Sequence, residues 1–285
     1  MPSPAASAPP PAPPRLFDRV LHRRRLDRAA RDFHHADFLH RRAAEDVADR
    51  LSPIMRTFPL AVDLSARRGA FAEALTLAAP EKVDTLIEAD LSARMLAGRP
   101  GPRLVADEER LPFAPASLDL IVSVLGLHWT NDVVGALIQA RQALRPDGLF
   151  IAALLGGVTL TELRQSLVAA EIELLGGAGS RISPFADARD AAGLLQRAGF
   201  VQPVADVDTV RVTYDHPLKL LYDLRRMGET NALADRHPRP LTRALLERTF
   251  QIYVERFADS DGRIPATFEI LTLTGWAPPQ TPPER

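Results

Sequence analysis

Four acids early in the chain, Asp63, Asp90, Asp107 and Glu108, each follow a short apolar run. An acid placed there can accept hydrogen bonds from the hydroxyls of a ribose or from an adenine amino group. Asp90, behind the run 83–89, suits the ribose; Asp107, with Glu108 beside it, suits the adenine. Asp63 opens the loop Asp63-Leu-Ser-Ala-Arg-Arg-Gly69, where a nucleotide would pass close to the main chain. Glycine serves such loops because it takes positive φ freely, whereas a residue with a Cβ does so at a cost of roughly 1–2 kcal/mol. Ser65 is small, Arg67 sets a long cation in the ligand's path, and Gly69 keeps the close start of a helix.

A second group, Ser123, His128 and Trp129, ends a later apolar run. His128 and Trp129 are the candidate catalytic residues, since an imidazole and an indole can stack on a substrate, bind its charge or move a proton. Packing with a satisfied histidine is the simpler reading, because no Asp or Glu is obviously placed to orient His128. His34, His35, His40 and Asp37 invite a metal reading, but adjacent histidines face different sides of a helix and no i,i+4 pair exists. No metal is expected. The absence of cysteine excludes disulfides, iron–sulfur ligation and thiol catalysis.

The elements that must hold these residues alternate. Strands are predicted over 60–64, 83–89, 103–106, 118–125 and 149–155, with helices over 69–79, 93–97 and 133–144 between them. Arg145-Pro-Asp-Gly148 reads as a turn. Further on, 160–175, 191–198, 217–227 and 242–256 read as helices, and 204–212 and 267–273 as strands. This pattern predicts an α/β, Rossmann-like, doubly wound and mostly parallel seven-stranded sheet. Ligands in such sheets lie outside the carboxyl ends of the strands, the edge to which all the residues above belong.

Residues 16–57 are expected to form a helical lid, with 16–51 helical. The main domain is then 58–277 with a helical insertion at about 217–257, and 1–15 and 278–285 read as disordered tails. With 46% hydrophobic and 25% charged residues and a net charge of -1, composition gives no reason to expect nucleic acid. No stretch nears the roughly 20 apolar residues of a membrane span. Arginine outnumbers acid in 16–51, which allows contact with an acidic partner or a membrane surface, although a lid with a solvated arginine face accounts for it more simply.

Taken together, Phe17-Asp-Arg19, Ala106-Asp-Glu-Glu-Arg-Leu-Pro-Phe113, Leu127-His-Trp129, Asn131-Asp132, Gly156-Gly157 and Met227-Gly-Glu-Thr-Asn231 resemble the methyltransferase-like assembly factors of respiratory complex I, in an alphaproteobacterial form. The likeness spans about residues 16–277, and a more distant one is to malonyl-carrier-protein methyltransferases. It implies the class I methyltransferase fold and S-adenosylmethionine as cofactor, held by Asp63, Ser65, Gly69, Asp90, Asp107, Glu108 and Ser123. It implies methylation or arginine hydroxylation of a protein substrate, a complex I iron–sulfur subunit, or a non-catalytic assembly role if the site has degenerated. The implied location is the bacterial cytoplasm, peripheral at the inner membrane. The glycine family pattern is broken at Ser65 and Arg67.

Overall fold

The computed structural model describes residues 15–183, 188–237 and 241–280; of the tails expected at 1–15 and 278–285, residues 1–14 and 281–285 lie outside the described residues. Two helices, α1 (Arg19–Ala29) and α2 (Phe38–Leu51), precede the sheet. Then come β1 (Phe58–Asp63), α3 (Ala70–Ala78), β2 (Val83–Asp90), β3 (Arg103–Val105), β4 (Leu118–Val124), α4 (Val133–Ala143) and β5 (Leu144–Leu155). The second half runs α5 (Thr161–Leu175), α6 (Ala188–Arg197), β6 (Val201–Tyr214), α7 (Pro217–Met227), α8 (Arg243–Phe257) and β7 (Ile264–Trp276).

The seven strands form one sheet in the order β3-β2-β1-β4-β5-β7-β6, with β7 antiparallel to both neighbours. The Rossmann-like α/β expectation holds. β4 is buried at every position, because helices cover both faces of a parallel sheet. One core layer packs α2 and α3 on Phe58, Leu120 and Ile151; the other packs α4 and α6 on Val62, Ile121 and Phe150.

Four local expectations need correction. Residues 16–51 are not one helix: Phe33 turns into the core through a short 3-10 turn at Phe33–His35, splitting α1 from α2. That turn also brings the His34 and His35 rings within 3.8 Å, where a continuous helix would have parted them. Residues 93–97 are turns, not helix. Arg145-Pro-Asp-Gly148 lies inside β5 as a bulge: Leu118 pairs with Leu144 but Leu120 with Leu149, and Asp147 takes φ +60°.

Candidate functional site

β1, β2 and β4 end side by side, so Asp63, Asp90 and Ser123 share the carboxyl edge of the sheet. Ser65 Oγ donates to Glu108 Oε1 at 3.1 Å and shares a 3.1 Å hydrogen bond with Ser123 Oγ. A Cβ on Gly126 would fall 1.8 Å from Ser65 Oγ, so the serine fills the gap between the two strand ends. Gly69 takes φ +86° at the start of α3, with the Arg99 guanidinium against its Cα. Glu88, two residues before Asp90 on β2, pairs with Arg99 at 2.8 Å.

Asp90 is engaged by the protein itself. The Arg67 main-chain N–H donates to Asp90 Oδ2 at 2.9 Å and Arg67 Nη1 to the same oxygen at 2.8 Å. Ser92 N–H donates to Oδ1 at 2.8 Å. The two side chains are 1% and 0% exposed. Burial works against the Arg67 charge, but Asp90 and then Glu108 hold its pKa above the ordinary arginine value. Asp63 lies fully buried behind this pair; burial, with Glu88 and Asp90 adding, pushes its pKa up to about 8.

The second pair of acids is also engaged. Arg19, at the start of α1, reaches across the edge to Asp107 Oδ1 at 2.6 Å and to Glu108, and donates to the Trp129 carbonyl at 3.1 Å. α1 is fastened over the loop after β2 by Ser92 Oγ donating to Asp27 Oδ1 at 2.6 Å, with Leu26 and Ala29 packed on Leu91 and Met95. His22 stacks on Trp129 with centroids 4.5 Å apart. His22 and His40 are buried, and their ring nitrogens, like Nε and Nη2 of Arg67, find no hydrogen-bond partner among the described residues.

An acid for His128 does exist, 101 positions away. Glu229, just past the C-terminus of α7, meets His128 Nε2 at 3.1 Å and accepts from Trp129 Nε1 at 3.0 and 3.2 Å. Burial works to raise its pKa, but His128, His40 and the Trp129 hydrogen bond together hold the carboxyl below its ordinary value. Glu229 and Trp129 line one end of a cavity of about 570 Å³ between α5, α7 and α8. Its walls are largely apolar, including Leu163, Leu221, Phe250 and Phe268, and Arg25, Arg28 and Arg225 border it. The volume is that of an ordinary ligand pocket.

Sequence reasoning missed Arg19 and His22 as site residues, weighed His40 only as a metal ligand, and had Glu229 only within the segment 227–231 that carries the family resemblance. The only signals were the segments 17–19 and 227–231, whose spatial meeting with 107–109 and 128–131 no local pattern reveals. Phe17 N–H donates to Asn131 Oδ1 at 2.7 Å, and Asn131 N–H donates to Glu109 Oε1 at 2.6 Å.

An adenosyl group does not fit the crevice as it stands. The carboxylates that would accept from ribose and adenine are of the right kind, but Arg67 takes Asp90, Arg19 takes Asp107 and Glu108, and α1 covers the opening. Among the described residues no group of three histidines or acids could hold a metal ion.

The sheet order and the acid-bearing strand ends define a protein of the methyltransferase class. Residues 62–152 match the family model described as a methyltransferase domain. Two solved structures share the fold at 14% identity. YcgJ of Bacillus subtilis has a TM-score of 0.55 over 83% of this chain and 99% of its own. A Haemonchus contortus phosphoethanolamine N-methyltransferase, solved with S-adenosylhomocysteine, has 0.54 over 91% of this chain and 60% of its own. Within that class the chain belongs to the arginine-hydroxylase NDUFAF5 family. It is 42% identical to the mitochondrial protein of Danio rerio over 92% of this chain and 83% of the relative, and 40% identical to that of Homo sapiens over 92% and 76%. A malonyl-[acyl-carrier protein] O-methyltransferase of Methylovorus sp. is 32% identical over 92% of this chain and 90% of its own.

Proposed function

We propose that this chain acts on an arginine side chain of a protein during assembly of respiratory complex I, at the inner face of the bacterial membrane. The observation that carries the reading is the buried Glu229 carboxylate at the end of an apolar cavity, in a chain 42% identical to an arginine hydroxylase. A guanidinium on an aliphatic stem is complementary to that arrangement: methylenes lie on leucine and phenylalanine, and the charged head meets a carboxylate. His128 and Trp129 hold Glu229 ionised and oriented, so its remaining lone pairs are preorganised for the incoming donor.

The reaction made on that arginine is hydroxylation by analogy with the relatives, with dioxygen and a two-electron reductant supplied from outside the chain and the second oxygen atom leaving as water; methylation of a protein side chain is the second reading, favoured by the strand-end acids. In that second reading Asp63, Ser65 and Gly69 shape the loop, Ser123 borders it, and Asp90, Asp107 and Glu108 hold S-adenosylmethionine once Arg67 and Arg19 move away. Mass spectrometry of the complex I iron–sulfur subunits from cells with and without this gene separates the readings. The expected result is one arginine heavier by one oxygen only when the gene is present. A gain of one methylene supports the second reading, and subunits identical in both strains end both.

A further inference from the structure

The loop after β1 and the acid after β2 form a closed pair without help from any ligand. Arg67 takes φ +51°, the left-handed conformation that a glycine would adopt at this point of a nucleotide loop. The backbone path is therefore kept, while the side chain is sent inward. Its guanidinium and its own main-chain N–H converge on one oxygen of Asp90, and the Ser92 N–H holds the other. A ribose would offer only neutral hydroxyls to the same carboxylate, whereas the guanidinium adds an opposite charge to its hydrogen bond and balances the buried carboxylate.

The surroundings leave the guanidinium little way out. Ser65 bridges to Glu108 and Ser123 beneath it. Arg19 clamps Asp107 and Glu108 to α1, and Asp27 fastens α1 to Ser92 on the same loop as Asp90. Ser65, Asp90, Asp107, Glu108 and Ser123, which would have contacted a nucleoside, are each bonded to another part of this chain.

We propose that Arg67 is the resident occupant of the ribose subsite, a built-in guanidinium in place of an adenosyl cofactor, and that the chain works with no nucleoside bound there. This does not rest on the protein-arginine reading. The subunit masses decide that reading, whereas binding and melting of the purified chain decide this one.

The test has two parts on the full-length protein. Calorimetric titration with S-adenosylhomocysteine is expected to give no binding tighter than about 1 mM for the natural chain. With Ser65→Gly, Arg67→Gly and Arg19→Ala combined, affinity rises at least about a hundredfold, to 10 µM or tighter. Tight binding by the natural chain overturns the proposal, and so does a folded triple variant that still binds nothing. In the second part, Asp90→Asn leaves the guanidinium without its carboxylate, and thermal melting is expected to drop by several degrees or folding to fail. Adding Arg67→Gln to Asp90→Asn recovers most of the loss. An Asp90→Asn protein that melts like the natural chain, or a double variant no better than the single, refutes the pairing.

Discussion

Glu229 concentrates the chemistry of the site into one carboxyl group. It is held ionised although buried, because His128 and Trp129 both donate toward it. Glu229→Gln keeps the shape and can still accept from Trp129, but it removes the charge. Affinity for a substrate peptide carrying the target arginine should therefore fall about thirtyfold or more, the 2 kcal/mol or more that a desolvated charged pair carries. The melting temperature should shift only a few degrees. Peptide binding by fluorescence anisotropy, beside a melting curve, checks both; unchanged affinity would remove Glu229 from the site. The same residue marks a limit of sequence reading. His128 was visible as a candidate, but its partner lies 101 positions on, and nothing periodic connects the end of β4 to the end of α7.

At the scale of elements, one side chain ties α1 to the acids after β3. Arg19 joins it to two acids after β3 and to the Trp129 carbonyl. Arg19→Ala leaves Glu108 buried without its cation, a loss of about 3 kcal/mol by comparison with other broken buried pairs. Amides of Leu21 to Leu26 should then exchange with deuterium well before those of β4. Equal protection in natural and variant protein would show that packing of Leu26 on Met95 holds the helix alone. The strands were legible because the central ones are buried on both faces and read as unbroken apolar runs, as at 118–124. The errors have physical causes. Arg145-Pro-Asp-Gly148 carries true turn chemistry, but the sheet absorbs it as a bulge because Leu144 and Leu149 both still pair with β4. The break between α1 and α2 carries no glycine or proline; it is forced by burial of Phe33 against the His40 ring, a tertiary contact that no local pattern announces. The glycine-poor loop was legible as a departure, yet only the fold shows that Arg67 meets Asp90, 23 residues away.

For the whole molecule, the buried titratable groups at the strand edge make stability depend on pH with two opposing signs. Burial and then Arg67 depress the His40 pKa from 6.5 to about 3, and burial, Arg67 and Arg19 hold His22 well below the ordinary histidine value. A group depressed in the folded state gives its full contribution above the unfolded pKa and loses it below, so both histidines weaken the fold as pH falls from about 6.5. Asp63 has the opposite sign: its pKa is raised from 3.8 to about 8, so its contribution is complete below 3.8 and is lost as pH rises toward 8. Between pH 8 and 6.5 only Asp63 gains, and stability should rise on acidification. Below 6.5 two histidines act against one aspartate, and stability should fall by an amount on the order of a few kcal/mol by pH 4. Urea unfolding at half-unit intervals should therefore show a maximum near pH 6.5. Asp63→Asn should flatten the limb above it and steepen the acid limb, where the two histidines then act unopposed, while His40→Gln should shallow the acid limb alone. The decisive comparison is Asp63→Asn between pH 6.5 and 8: if its slope matches that of the natural chain, Asp63 is not protonated in the folded protein, and the buried edge carries one more negative charge than the Arg67–Asp90 pair can balance.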